Sequence, residues 1–588
     1  MLYRRKAAAL VVGGLLCTSS LAMAAPKVLL VGIDGVQYQK LLATSPSQLA
    51  RLHHTATFTG GVKGTGLEQA TVSGPGWSTI LTGVWANKHR VYSNDSDLAD
   101  PRFPSLFKRI RDARPDAYIA SITNWASINQ RYFRNEVGSN NLNLSGLNDE
   151  AVTQKVVETL KTTPADFVFV HLDDPDHAGH SSCFGSAYDR ALRDSDRRLG
   201  QMLDVVTARQ AQGDDWLVLV TTDHGRDAAG CGHGAQTPNE KTSFIASNKP
   251  LNAEFNQYVD TLENRDFDGI YGRPAQTSIA PTILRHLGIT LQPDWLLDGT
   301  PLLGTTGVRK LMPARNANAD FTWFANTGSP VLIRRNGTLL ASVPASQMSW
   351  RDPAGLSGLA DYSLEMDGTP IALRLNRREV SATLDWDIGR SYVFLNGGEY
   401  VRYNQILDRA DTGYPRAVDQ SNWPGLAPYT DQIVAGFSKD ANIAYLFLSD
   451  GRYIRYNKSA DRADAGYPQP VNDANWPGLG AYGTQIRATL RWKGDKVYFF
   501  LRDGRYIRYD LKNDRIDPGY PAAVNDANWK GLGAYGRDIV AAVKWNDSRA
   551  YFFLTDRRYI RYDIANDRAE AGYPKAVNHN TWPGMGVE

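Results

Sequence analysis

A repeat with a step of 53 residues constrains this chain more than any other feature. Tyr403, Tyr456, Tyr509 and Tyr562 each close a (V/I)-Arg-Tyr triplet at that interval. Gly-Tyr-Pro recurs at Gly413, Gly466, Gly519 and Gly572, and Trp423, Trp476, Trp529 and Trp582 keep the same step. So does the set Tyr392, Tyr445, Tyr498 and Tyr551, which opens each strand pair. A unit of about 50 residues built from short strands and turns cannot bury its own apolar face, so its copies must stack on one another. Four equal copies predict a four-bladed β-propeller over residues 376–588.

The repeat text from Tyr498 (YFFLRDGRYIRYDLKNDRIDPGYPAAVNDANWKGL) resembles hemopexin repeats. This stretch has no cysteine, so the disulfide that often ties the first and last blades of that family must be absent. Its single histidine, His579, leaves a haem without axial ligands. The recurring Tyr, Trp and Arg are read as blade packing, and a protein, glycan or polyamine ligand for the propeller stays open.

At 588 residues the chain is too long for one hydrophobic core. Its net charge of +3, with acids and bases interspersed, argues against a surface for duplex nucleic acid. At the N-terminus, Arg4, Arg5 and Lys6 precede an apolar run over residues 7–16, and Ala22-Met23-Ala24 has the form of a signal-peptidase site. We therefore expect a signal peptide over residues 1–24 and an exported protein, periplasmic or secreted. No later stretch reaches the roughly 18 apolar residues of a membrane span.

Residues 25–305 read as α/β. Residues 27–33 (KVLLVGI), 167–172 (FVFVHL) and 216–221 (WLVLVT) are buried-strand patterns, with amphipathic stretches at 150–161 and 187–206 between them. That alternation predicts a mostly parallel sheet with helices on both faces. Residues 306–318 read as a polar linker. Residues 319–375 read as a small β-sandwich-like module, with Asn336-Gly337 as a hairpin turn.

The chemistry concentrates in the α/β region. Of ten histidines, His171, His177, His180, His224 and His233 lie within 63 positions. Asp34 follows the first strand, where a carboxylate serves either as a turn cap or as a metal ligand at the carboxyl edge of the sheet. Asp176 and His180 are four apart after the strand FVFVHL, so one helical turn would let them share an ion. His177 either faces substrate or caps that loop. Asp223-His224 follows WLVLVT, and His233 sits in the glycine loop Gly230-Cys231-Gly232-His233-Gly234. Residues 71–83 (TVSGPGWSTILTG) place small hydroxyl residues before an apolar helix, whose N-terminus favours an anion. The glycines from Gly60 (GGVKGTG) lack the GK[ST] ending of a P-loop.

Taken in order, Asp34, the loop ending in Thr82-Gly83, Asp176/His180, Asp223-His224 and His233 resemble the alkaline phosphatase superfamily, nearest to type I phosphodiesterase/nucleotide pyrophosphatase proteins. Residues 277–301 look like the closing helix and loop of such domains. The resemblance implies a hydrolase of phosphoesters or nucleotides with two divalent metal ions, zinc above others. It implies Asp34, Ser73, Asp223 and His224 on one ion and Asp176, His180 and His233 on the other. Ser73 is the implied nucleophile because it lies nine residues before Thr82, and a phospho-serine intermediate follows from that. Two departures stand out: Ser73 replaces the usual Thr, and Gly76 stands where an Asn would contact phosphate. A phosphomonoesterase is the alternative enzyme. A binding or adhesion protein using its propeller beside an inactive core is the alternative from another class. Trp77 stands where the sulfatase maturation motif needs Arg. Cys183 lies three residues after His180, and Cys231 two before His233, so a shared metal would bring them into disulfide range.

Overall fold

The computed structural model describes residues 24–63, 65–260, 267, 269–314, 320–326, 328–354, 358–578 and 581–587. The expected signal peptide therefore lies outside the described residues, save Ala24. The chain divides into two compact units. Among the described residues, the first comprises those of 24–60, 70–291 and 301–306, and the second those of 61–69, 292–300 and 307–587.

The first unit is built on a seven-stranded sheet. Its strands are β1 (Pro26–Ile33), β2 (His53–Phe58), β3 (Ile119–Thr123), β4 (Leu142–Leu144), β5 (Phe167–Leu172), β6 (Asp215–Thr221) and β7 (Thr242–Ser247), in the order β2-β7-β6-β1-β5-β3-β4. The five strands from β6 to β4 run parallel, and β7 and β2 close one edge antiparallel. β1 is central, with Gly32 level with His171 on one side and Thr221 on the other. Helices α2 (Asp149–Thr162) and α4 (Ser186–Ala211) bury Val156, Leu160, Leu192 and Leu199 against Val31, Val170 and Val218. On the other face Trp77 of α1 (Ser73–Thr82) and Phe107 meet Phe169. With both faces covered, the strands read as continuous apolar runs, which is why the sequence shows them clearly. Helices α3 (Asp174–Ser182) and α5 (Ile279–His286) complete the elements used below.

Residues 308–313, expected to be part of a polar linker, instead form strand β8 (Val308–Pro313). Val308, Leu311 and Met312 are buried there, so the segment pairs with β9 (Phe321–Ala325) rather than running free. Strands β10 (Val331–Arg335), β11 (Thr338–Val343), β12 (Ser349–Trp350), β13 (Gly358–Met366) and β14 (Thr369–Arg377) complete two small sheets, ordered β11-β10-β13-β14 and β12-β9-β8. Phe321 of one sheet meets Tyr362 of the other, with ring centroids 5.0 Å apart, as in a β-sandwich. The β10–β11 turn is Asn336-Gly337, both at positive φ.

The repeats form four antiparallel sheets of five strands each. Their first strands, Val380–Asp387, Ile433–Ser438, Ile486–Arg491 and Ile539–Asn546, neighbour one another in a closed ring, which makes a four-bladed propeller. Each repeat tryptophan packs on the tyrosine of the next blade: Trp423 on Tyr456, Trp476 on Tyr509 and Trp529 on Tyr562. Trp582 of the last blade packs on Tyr403 of the first at 5.1 Å. Beside it Ala410 N–H donates to Pro583 O (2.8 Å), as Ala463 N–H does to Pro424 O (2.9 Å). Noncovalent packing therefore closes the ring at the same contact that joins the other blades. Trp582→Ala is expected to cost about 3–5 kcal/mol in chemical denaturation, the usual range for a buried aromatic. A cost below about 1 kcal/mol would contradict closure through this residue.

Candidate metal centre

The parallel strands end on one edge of the sheet, and the loops that leave them carry the polar residues. Asp34 follows β1, and its N–H extends the ladder to Leu172 O (2.8 Å). Asp173 follows β5, and Asp223 and His224 follow β6. Asp34, Asp223 and His224 are each almost wholly buried. Gly35 is at φ +63°, and a side chain there would run into Asp176, so the turn after Asp34 needs glycine.

All seven residues expected at the site converge. Ser73, the first residue of α1, places Oγ 3.4 Å from Asp34 Oδ1 and 3.4 Å from His224 Nε2. His224 Nε2 is 3.5 Å from Asp34 Oδ1 and 3.3 Å from Asp223 Oδ2. Asp176 and His180 share one face of α3, with Oδ2 3.3 Å from Nε2. His233 Nε2 lies 2.9 Å from His180 Nε2 and 3.7 Å from Asp176 Oδ1. The His224 and His233 rings stack at 3.8 Å, which joins the two groups. His177 is exposed on α3. Thr71, the other hydroxyl before α1, is engaged in structure. Its Oγ1 donates to Ala235 O (2.7 Å) and accepts from Gly234 N–H (3.0 Å).

Backbone carbonyls set the histidine tautomers. His224 Nδ1 lies 2.9 Å from Gly225 O, and His233 Nδ1 lies 3.0 Å from Thr71 O. A carbonyl only accepts, so Nδ1 carries the proton and the Nε2 lone pair of each neutral ring faces the carboxylates. Burial, then His224, holds the His233 imidazole down at about 3. Burial, then the Asp223 and Asp176 charges, pushes Asp34 well above the usual carboxylate range, and burial followed by Asp176 does the same to Asp223. Asp223 Oδ2 is buried and accepts no hydrogen bond. Clustered carboxylates, imidazole lone pairs and an orphaned carboxylate oxygen are what a divalent cation would relieve, and the oxygen and nitrogen donors suit one.

Several residues that hold the site were missed in the sequence. His171, the fifth residue of β5, accepts from Trp125 N–H at Nδ1 (3.4 Å) and so donates from Nε2 to Asp34 Oδ2 (3.0 Å). Trp77 Nε1 donates to the same oxygen (2.8 Å) and packs over Gly32, where a Cβ would collide with its ring. Two donors on Oδ2 leave Oδ1 to face Ser73. Arg226 is wholly buried behind Asp176, ion-paired with it, and donates from Nε to Gly230 O (2.7 Å). Asp227 accepts from Gly230, Cys231 and Gly232 N–H and so shapes the His233 loop. Asn94 accepts from Gly74 N–H (2.7 Å) beside Ser73. Gly76 cannot carry the asparagine of the resembled family, because a Cβ there would lie 2.8 Å from Asp223 Cβ. A buried histidine in an apolar strand and an arginine after Asp-His-Gly are weak signals, and Asn94 gives none until the chain is folded.

The Cys183–Cys231 disulfide is present, with Cα atoms 4.1 Å apart, and it links the end of α3 to the His233 loop. Among the described residues no helix is long and apolar enough to cross a membrane.

Burial, followed by the Asp34 charge, raises Asp173 to about 7 from a value of 3.8. A carboxyl raised by folding stabilises the fold fully below its unfolded pKa, and that contribution is lost as pH climbs through the folded one. Through Asp173 alone the metal-free protein should therefore lose stability between about pH 4 and about pH 7. Asp34 and Asp223 act in the same direction, whereas His233 and His89, each held down at about 3 by burial, act in the opposite one. Thermal unfolding of chelated wild type and Asp173→Asn across that window isolates the carboxyl. The stability of the wild type relative to the variant should fall with pH, and a difference that is flat or rises would contradict it.

Sequence comparison gives a 2,3-bisphosphoglycerate-independent phosphoglycerate mutase of Brugia malayi, 26% identical over 162 residues, 27% of this chain and 27% of that protein. The chain spans about a quarter or less of the length of the curated relatives it matches. Among solved structures, the hemopexin fold protein CP4 from cow pea shares 19% identity, covering 35% of this chain and 96% of its own (TM-score 0.31). Murine ectonucleotide pyrophosphatase / phosphodiesterase 5 shares 20%, covering 34% of this chain and 57% of its own (TM-score 0.26). Residues 122–238, which supply His171, Asp176, His180, Asp223, His224 and His233, match the model of the Metalloenzyme superfamily.

Proposed function

We propose that this chain is an exported phosphoester hydrolase that works with two divalent ions, zinc above others, and attacks through Ser73. One observation carries the reading: Ser73 Oγ sits at a helix N-terminus, 3.4 Å from both Asp34 and His224, and His224 Nε2 in turn lies 3.3 Å from the buried Asp223 Oδ2 that has no donor. Asp34, Ser73, Asp223 and His224 would hold one ion, and Asp176, His180 and His233 the other. Bound there, the ions would lower the hydroxyl pKa and offset charge on phosphate. A relative named as a phosphoglycerate mutase supports phosphoryl transfer on such a cluster. The leader-like residues 1–24 and the disulfide support export.

In this reading Ser73 Oγ attacks phosphorus in line with the leaving oxygen. The Oγ–P bond forms, the P–O bond to the leaving alkoxide breaks, and the alkoxide leaves as the alcohol after gaining a proton. Water then attacks phosphorus, Oγ departs, and phosphate or a phosphomonoester is released. His171 and Trp77 hold Asp34 so that Oδ1 stays toward Ser73. Asn94 is fixed through Oδ1 by Gly74 N–H, which leaves its Nδ2 to donate to a phosphate oxygen. The diester or nucleotide class rests on the sequence resemblance.

Turnover of bis(p-nitrophenyl) phosphate and p-nitrophenyl phosphate tests the proposal. Ser73→Ala should lower kcat by at least about three orders of magnitude with metal content kept. Asn94→Ala should cost about ten- to a thousandfold. Full activity in Ser73→Ala, or after exhaustive chelation, would refute the mechanism. A preference for the monoester would move the enzyme to the phosphomonoesterase class.

A further inference from the structure

One buried charge in the metal centre takes no part in the chemistry at Ser73. Arg226 is wholly buried, and its guanidinium donates in three directions. Nη1 pairs with Asp176 Oδ1, Nε donates to Gly230 O (2.7 Å) and Nη2 donates to Cys231 O (3.3 Å). Its backbone N–H donates to Gln37 Oε1 (3.3 Å), in the loop after β1. Arg226 therefore touches α3, the loop that carries His233 and the loop that carries Asp34.

Two glycines clear space for it. A Cβ on Gly179 of α3 would collide with the guanidinium carbon. A Cβ on Gly35 would collide with Asp176 Oδ1 and lie 2.9 Å from Arg226 Nη1. An apolar side chain could fill such a volume without the desolvation cost of a buried cation, so packing alone does not account for an arginine here.

The pairing is decided at Asp176. Its Oδ2 faces His180 Nε2 at 3.3 Å, and His180 Nε2 lies 2.9 Å from His233 Nε2. Oδ1 lies farther from its nearest imidazole, 3.7 Å from His233 Nε2, and is taken by Arg226. A carboxylate without that partner could turn and offer a cation either oxygen or both. We propose that Arg226 is the positioning residue of the second ion: by holding Asp176 Oδ1 it leaves Oδ2 as that carboxylate's donor, beside His180 and His233. The inference rests on the two-ion reading of the site. Partners behind a metal ligand change metal affinity by about 10- to 100-fold. At the first ion the corresponding oxygen of Asp34 is held by Trp77 and His171 instead, so loss of Arg226 should act on one ion only.

The test is titration of the metal-free full chain with zinc, followed by calorimetry, and with cobalt, followed by its visible absorption. The wild type should show two binding steps, and His180→Ala marks the step that belongs to the second ion. In Arg226→Gln that step should weaken about 10- to 100-fold, while the other stays within about threefold. Its cobalt band should also change in intensity, because the donors around cobalt set that intensity and Asp176 Oδ1 is no longer held. Gly179→Ala keeps the charge but crowds the guanidinium away from Asp176, and it should weaken the same step. If Arg226→Gln does not fold, Gly179→Ala alone decides. Wild-type affinity and cobalt band in either folded variant would overturn the proposal. So would equal weakening of both steps, which would make Arg226 a support of the fold alone. A wild type with no second step would overturn the two-ion reading as well, so the two failures are distinguishable.

Discussion

The first unit is organised around a repulsion that its own residues do not remove. Asp34, Asp223 and Asp176 are drawn together with the Nε2 lone pairs of His224 and His233 where water is largely excluded. Backbone carbonyls hold the histidine protons on the far side of the rings. Arg226 neutralises only the rear of Asp176, and Trp77 and His171 occupy only one oxygen of Asp34. What remains faces inward, carries negative charge and lone pairs, and is arranged for cations.

Such a cluster must be held against its own charge, and the holding elements come from distant parts of the chain. Parallel pairing of β1 with β5 and β6 puts three strand ends level. Gly32 admits Trp77, Gly35 admits Asp176 and Gly76 admits Asp223, so close approach is bought by missing side chains at the three places where the elements cross. Arg226, Asp227 and the Cys183–Cys231 bond then fix the His233 loop to α3. The propeller solves its closure with the same contact used four times, a tryptophan on the next blade's tyrosine.

Much of this was legible in the sequence, for physical reasons. Fully buried strands carry unbroken apolar runs, so β5 was read at 167–172 and β6 to within one residue. Repetition exposed the propeller, and Asp176/His180 and Asp223-His224 were visible because ligands cluster beyond strand ends. The supporting residues were not legible. His171 looks like one more residue of a buried strand, and the role of Asn94 exists only once α1 places Gly74 N–H beside it. The strand at 308–313 was missed because Arg309 and Lys310 make it look polar, although both are buried.

Anomalous diffraction from crystals grown with zinc would locate the ions that this cluster is arranged to hold. Two peaks are expected, one among Asp34, Ser73, Asp223 and His224 and one among Asp176, His180 and His233. A single peak, or a peak among Asp34, His171 and Asp173, would contradict it. Those three residues also converge, but the Asp34 oxygen facing His171 already has two donors.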